Sequence, residues 1–510
     1  VSPGKSRPGG SLLVVDVGTS GVRSAIVRPD ASVDHIHYAR VLPDTPSPGL
    51  IEVDPNRIAE AVLELATAAL SEGGPVAGVG IANQRATTVV WDRTTGEPAA
   101  PAIGWQDLRT VGTCLALQTE GIRLAPNMSA TKVAAILNAV DPDRARSRDL
   151  CFGTIDTWVA WTLSGGAGGG ALHITDATNA GVTGLVRIVA DQTGTERTDV
   201  LRWDDTLLER LRIPPAMLPT IVDSSGVVGI ASALAGAPPI CGIAGDQQAS
   251  LVGQGCMRPG LAKATFGTGG MLDLCTGRSN PDAGGRGGAG TFPIVAWQRA
   301  GAPTWGVEAV MLSAGTCVEW LRDDLGLLTD AAESASVAAA CKDTGDLWFV
   351  PALLGMGTPV WDFGARGTLL GITRGTGRAE LVRAVLEGIA HRGADLLEAA
   401  EADSGFTVGA LRIDGGMSAN DVFVDALAEA TGRTVEISPV LEATTLGAGF
   451  LAGMAVGTWR DEDDVVAAFV PLERVDPTTA YDRREIRRER WLAARERAQR
   501  TIPELSGIAF

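Results

Sequence analysis

A chain of 510 residues is too long for one ordinary hydrophobic core, so two large domains or three small ones are expected. With 45% apolar and 20% charged residues it falls among folded proteins and outside the disordered class. The net charge of −17 opposes association with nucleic acid or an anionic membrane surface, and the apolar runs are too short for membrane insertion.

The first ten residues, VSPGKSRPGG, carry no apolar leader, and the cytoplasm is the expected compartment. Seven scattered cysteines without a CxxC pair read as reduced, mostly buried thiols. His35 and His37 lie two apart with too few neighbouring ligands for zinc.

In chain order, Leu12 to Val17 and Val22 to Val27 are apolar runs around Gly18-Thr19-Ser20-Gly21, the pattern of a β-hairpin. Asn56 to Leu70 has helical periodicity, with Asp54-Pro55 as cap and first turn. Val76 to Ile81 is a compact strand leading into Asn83-Gln84-Arg85. Gly165 to Gly170 predicts a mobile surface loop. Ile240 to Ala244 is a strand ending in Gly245-Asp246-Gln247-Gln248, ahead of a small-residue helix. Ala264 to Cys275 repeats the opening pattern, since TFGTGGMLDLCT can be laid over DVGTSGVRSAIV. A second glycine-rich loop spans Gly277 to Gly290. Amphipathic helices at Arg378 to Glu398 and Val422 to Thr431 flank a strand, Ala410 to Asp414, that runs into Gly415-Gly416. Alternating strands and helices predict an α/β fold, and the recurrence predicts a duplication that divides near residue 253.

Glycine turns after apolar strands, at Gly18, Gly267 and Gly415, let backbone N–H groups approach a phosphate, although such turns are also ordinary hairpins. Neither GxGxxG nor a Walker motif is present. Asp16, Asp246 and Asp414 end strands, where open α/β sheets expose functional groups, and a capping role is the alternative for each. Asp16 beside a phosphate turn calls for Mg2+, with Arg23 adding positive charge. Asp246 can take the proton of an attacking hydroxyl. Arg85 can hold two hydroxyls with its fork, or form a salt bridge. Trp105 can wall a carbon skeleton, or pack in the core.

Together, and in this order, NQRATTVVW (83–91), FGTIDTWVAW (152–161), SGVVG (225–229), GIAGDQQASLVGQ (242–254), FGTGGM (266–271), PALLGMGTPVWDFGARG (351–367) and IDGGMSAN (413–420) resemble the FGGY family of carbohydrate kinases, its glycerol kinase members most of all. The resemblance runs from about residue 12 to about residue 476. It implies two actin-like (ribonuclease H-like) domains, 11–253 and 254–510, closing on ATP and Mg2+ in the cleft between them. By the same resemblance Asp246 is the general base, and Asp16 and Asp246 stand near the metal. Gly18, Thr19, Ser20 and Arg23 form the first phosphate loop, Thr268 and Gly269 the second. Gly315, Gly415, Gly416 and Asn420 fall on the nucleotide side, and a homodimer is implied.

Arg85, Trp105, Asp246 and Gln247 match the polyol pocket, but three positions depart from it. Ala86 replaces a glutamate, Asn127 a tyrosine and Met271 a phenylalanine. An unmade buried hydrogen bond costs on the order of 1–3 kcal/mol. The expected substrate is therefore a four- or five-carbon polyol or a ketose phosphorylated at a terminal hydroxyl. Glycerol is the alternative, and a catalytically silent ATP-binding module the second, against which the retention of both Asp16 and Asp246 counts.

Overall fold

The computed structural model describes residues 9–508 except 147, 169, 192–197 and 282–284. Most of the expected N-terminal tail therefore lies outside the described residues. Thirteen strands form one continuous sheet. In chain order they are β1 (Leu12–Val17), β2 (Gly21–Val27), β3 (Val33–Arg40), β4 (Gly78–Asn83), β5 (Ser225–Ile230), β6 (Pro239–Gly245), β7 (Ala262–Phe266), β8 (Gly270–Gly277), β9 (Phe292–Arg299), β10 (Ala302–Met311), β11 (Ala410–Asp414), β12 (Thr434–Ile437) and β13 (Glu473–Val475). Across the sheet the order is β13-β12-β11-β7-β8-β10-β9-β5-β6-β4-β1-β2-β3.

One unit occurs twice in that order. β3-β2-β1-β4-β6 and β10-β8-β7-β11-β12 are equivalent series, each with two antiparallel pairings followed by two parallel ones. The recurring strand–turn–strand segments are β1–β2 and β7–β8, the second and third strands of each series. The halves join where Ser225 of β5 pairs with Arg299 of β9.

β1 is buried along its whole length, which explains its unbroken apolar sequence: it is covered on both faces. Leu13, Val15 and Val17 pack with Ile58, Val62 and Leu65 of helix α1 (Pro55–Gly73). That helix begins where Asp54 accepts the N–H of Asn56 at 2.9 Å. Leu12 and Val14 face the other way, onto Leu446, Ala448 and Phe450. Those residues belong to a helix from the far end of the chain, so the second segment covers a face of the first half of the sheet. The core of the second half gathers Phe266, Leu272, Val307, Val385 and Leu427.

Four further helices matter to the cleft: α2 (Asp246–Gly253), α3 (Gly315–Asp323), α4 (Arg378–Ser404) and α5 (Asp421–Thr431). The helix over β1 is α6 (Ala443–Val456). It crosses α2 in backbone contact: a Cβ on Gly447 would stand 1.7 Å from the Ala249 carbonyl, and one on Gly253 would stand 1.9 Å from that of Ala443. Only glycine permits this approach.

Residues Gly166–Gly168 make a single 3₁₀ turn where a loop is expected, and 169 lies outside the described residues. In the second glycine-rich stretch Asp403 accepts the N–H groups of Ala289 and Thr291 at 2.7 and 3.1 Å, which ties the end of that stretch to α4. The seven cysteines are free, and six are buried. His35 and His37 both face Glu72, and no group of three ligating side chains among the described residues could hold a metal. No described helix is long and apolar enough to cross a membrane.

Candidate active site

Three parallel strands set the floor of the cleft. Asp16 of β1 and Ala244 of β6 both lie opposite Ala82 of β4. The chain therefore leaves these strands side by side, as Asp16-Val17-Gly18, Asn83-Gln84-Arg85 and Gly245-Asp246. The carboxyl ends of neighbouring parallel strands are where such sheets bind ligands.

Asp16 is buried, and burial pushes its carboxyl up to about 7, against the pull of Arg23 and with added repulsion from Asp246 and Glu442. Arg23 approaches Asp16 at 3.5 Å and pairs with Glu442 at 2.5 Å. Thr445, on the first turn of α6, donates to Asp16 at 3.3 Å. Asp16 and Asp246 are oxygen ligands of the kind Mg2+ takes, and with no third ligating side chain grouped with them among the described residues the rest of such an ion's shell would be water and phosphate oxygens.

Asp246 opens α2. Burial raises its carboxyl above the ordinary range, while Arg85 and the Gln247 N–H, which it accepts at 2.8 Å, pull it down. Its side chain keeps 32% exposure, because it lies deep in the protein yet borders the open cleft. A raised carboxylate open to one side can receive a proton.

Arg85 bridges two acids, with Nη1 2.7 Å from Glu308 and Nε 3.5 Å from Asp246. Burial alone would weaken its hold on the proton, but those two carboxylates more than offset it. Its Nη2 lies 3.8 Å from the Met271 sulfur, which brings Met271 to the same pocket. The Gln247 side-chain oxygen accepts from Lys263 at 2.7 Å. Trp105 is half-buried, with its indole N–H 3.1 Å from the Thr19 hydroxyl and its backbone N–H 3.2 Å from that of Thr87. It thus ties the pocket wall to the first phosphate turn. Ala86 adopts φ +61°, and its carbonyl accepts from Ser129 at 3.0 Å. The segment carrying Asn127 thereby comes against it, with Asn127 itself exposed.

The first turn is closed by the Gly18 N–H donating to the Gly21 carbonyl at 2.9 Å, with Ser20 exposed at its tip. Across the cleft, Gly267 receives the N–H of Gly315 at 2.8 Å and Thr268 receives that of Ala314 at 3.0 Å, so α3 starts on the second turn. Gly269 forms the other arm of that turn, its carbonyl accepting from Gly267 at 3.0 Å. Gly415, at φ +90°, lies against the Phe266 backbone, where a Cβ would meet the carbonyl at 2.5 Å. Gly416 begins a 3₁₀ turn that ends at Asn420, which caps α5 by accepting from Phe423 at 3.1 Å and donates to Ser334 at 3.0 Å. The glycine turns of the second half thus converge on one wall. Asp414 does not join the cleft acids as a cap or turn residue. It accepts from Ser250 of α2 at 2.8 Å.

Sequence reasoning missed Lys263, Glu308, Glu442 and Thr445. The signal for the first two was a charged residue inside an otherwise apolar strand.

Two repeats of one sheet unit, each with a glycine turn between antiparallel strands, and two aspartates with raised carboxyls at strand ends of the first, make a two-domain actin-like α/β architecture. The family models for the N-terminal and C-terminal domains of the FGGY family of carbohydrate kinases match residues 11–253 and 262–456. The glycerol kinase of Aromatoleum aromaticum is 41% identical over 506 residues, covering 96% of this chain and 98% of that protein. Glycerol kinase 2 of Thermotoga maritima is 38% identical, covering 96% and 98%. Among solved structures, Plasmodium falciparum glycerol kinase with ADP superposes with a TM-score of 0.86 at 26% identity, covering 96% of this chain and 98% of that one. The ligand-bound xylulose kinase from Lactobacillus acidophilus shares the fold, with a TM-score of 0.81 at 19% identity over 98% and 99% of the two chains. The chain belongs to the FGGY family of carbohydrate kinases, and it is an ATP-dependent kinase for a hydroxyl of a polyol or sugar.

Proposed function

We propose that the chain phosphorylates a terminal hydroxyl of glycerol. The observation that carries this reading is near-full-length identity of 37–41% to proteins named glycerol kinase, and the placement of Arg85 beside Asp246 supports it. It displaces the larger polyol or ketose, expected from the altered pocket, as the leading substrate.

ATP, when bound, supplies the phosphoryl group. Asp246 takes the proton of the attacking hydroxyl, Arg85 and Gln247 present N–H groups to the neighbouring hydroxyls, and Trp105 walls the carbon chain. Asp16 and Asp246 hold Mg2+, directly or through water. Gly18, Thr19, Ser20 and Arg23 line one side of the phosphates, Thr268 and Gly269 the other, and Gly315, Gly415, Gly416 and Asn420 take the nucleotide. Catalysis is then positioning and charge stabilisation within a cleft that excludes water when segments 11–253 and 254–510 close. A homodimer is part of this reading. So is a cytoplasmic setting without nucleic acid, supported by the free buried thiols and the negative charge.

One observation favours a second reading. Ala86 is small and the Asn127 side chain is exposed, so neither fills the space of a larger side chain in a pocket that would then take a four- or five-carbon polyol. An ADP-release assay against glycerol, erythritol, threitol, xylitol and xylulose separates the two. Glycerol is expected to give the highest kcat/KM. A tetritol or pentitol at the top of that panel overturns the glycerol reading. Restoring Glu at Ala86 and Tyr at Asn127 would then have to return the preference to glycerol.

A further inference from the structure

Beneath the pocket a row of charges crosses three strands of the second half. Lys263 of β7 lies opposite Asp273 of β8, and Asp273 lies opposite Glu308 of β10. Lys263 and Asp273 are fully buried and Glu308 is 7% exposed. Two carboxylates directly opposite one another repel, so each needs its own cation. Lys263 pairs with Asp273 at 2.8 Å, and Arg85 reaches in from the first half to pair with Glu308 at 2.7 Å.

The ammonium of Lys263 donates to the Thr265 hydroxyl at 3.0 Å and to the Gln247 side-chain oxygen at 2.7 Å, and it pairs in charge with Asp273 at 2.8 Å. Because an ammonium only donates, the group it meets on Gln247 must be the oxygen, and the amide NH2 is turned the other way. Glu308 does the same for Arg85, engaging Nη1 and leaving Nη2 on the Met271 side.

We propose that Lys263 and Glu308 are positioning residues that fix the Gln247 amide and the Arg85 fork so that the polyol meets N–H donors there. This rests on the reading of Gln247 and Arg85 as polyol-binding groups. The second half of the sheet thereby sets the polarity of a pocket whose polar contact groups belong to the first.

Lys263→Met alone strands Asp273 and can fail to fold, so the main variant is Lys263→Met/Asp273→Leu, which removes the pair together. Glu308→Gln tests the other arm. With the thermal midpoint and affinity for a non-hydrolysable ATP analogue preserved, the KM for glycerol should rise about tenfold or more while kcat changes less. Discrimination between glycerol and 1,3-propanediol, which lacks one hydroxyl, should narrow by a similar factor. Gln247→Glu keeps an oxygen for Lys263 and is expected to fold. It should show the same KM rise, because its carboxylate has no N–H to offer. Unchanged KM and discrimination in the folded variants overturn the proposal. Gln247→Ala separates the two failures: wild-type kinetics in that variant sink the pocket reading itself, whereas impaired binding there beside normal behaviour of Lys263→Met/Asp273→Leu sinks only the positioning role.

Discussion

The two halves of the sheet repeat one strand order, yet the ends of their equivalent strands carry different chemistry. In the first half Asp16 of β1, Ala82 of β4 and Ala244 of β6 stand abreast near the strand ends, with Asp246 two residues beyond Ala244. Their equivalents by register in the second half are Thr265 of β7, Asp414 of β11 and Ser438 just past β12. Each member of the second set has a protein partner: Thr265 receives Lys263, Asp414 receives Ser250 on one of its two oxygens, and Ser438 donates to the Val440 carbonyl at 2.8 Å. Asp16 and Asp246 are instead pushed above the ordinary carboxylate range by burial and left beside the cleft. The frame occurs twice, and the acids with raised carboxyls beside arginines stand in the first half, where the proposed chemistry would take place.

The contrast is sharpest at Asp246. Asp246→Asn removes the proton acceptor while keeping the shape, and kcat should fall by about 10²–10⁴-fold with ATP-analogue binding retained. Normal turnover at saturating glycerol would remove Asp246 from the role of base. Asp16→Asn should come next, with a loss on the order of 10²-fold in kcat. Its Mg2+ dependence, read from initial rates in chelator-buffered solution, should move to higher concentration. An unshifted metal curve would detach Asp16 from the cation.

Much of the frame was readable from local pattern. Ala410–Asp414 has the bounds its apolar run suggests, and the hairpin around Gly18 follows from its glycine turn. Helix α4 runs beyond the expected Glu398 to Ser404, where Gly405 at φ +74° ends it, a stop signal present in the sequence. The placement of α6 over β1 was not readable, because an all-round apolar helix announces burial but not the partner. The same limit applies at the site. Asp16, Arg85 and Asp246 stand at strand ends and could be singled out one by one. Lys263 and Glu308 acquire meaning only from cross-strand register, which no local window contains. The structure also placed the departures: Ala86 and the Asn127 segment meet through Ser129, and Met271 meets Arg85.

A smaller effect is expected where the pocket wall meets the phosphate turn. Trp105→Phe keeps the ring but loses the N–H that reaches Thr19. One hydrogen bond of about 1 kcal/mol corresponds to roughly fivefold in kcat/KM. The deficit should disappear in a Thr19→Val background, since the two changes delete one interaction. Full additivity in that double-mutant cycle would mean that the contact does not couple wall to turn.

Asp414 is the control that can break the comparison. It occupies in the second half the strand position that Ala82 holds in the first, it is buried, and it accepts from Ser250 on α2. An asparagine there still offers an oxygen to that hydroxyl, so Asp414→Asn keeps the tie between β11 and α2 while deleting the charge. If strand-end acids of this half are structural, kcat and the Mg2+ curve should stay within about twofold of wild type. Stability should fall by no more than about 1 kcal/mol, the scale of one altered hydrogen bond. Ser250→Ala should cost more, about 1–3 kcal/mol, because it leaves the buried carboxylate without its donor. Chemical denaturation of both variants, followed by fluorescence alongside the steady-state assay, gives the two orderings at once. A drop in kcat for Asp414→Asn comparable to that of Asp16→Asn would show that both halves contribute an acid to the chemistry, and the division drawn above would fall.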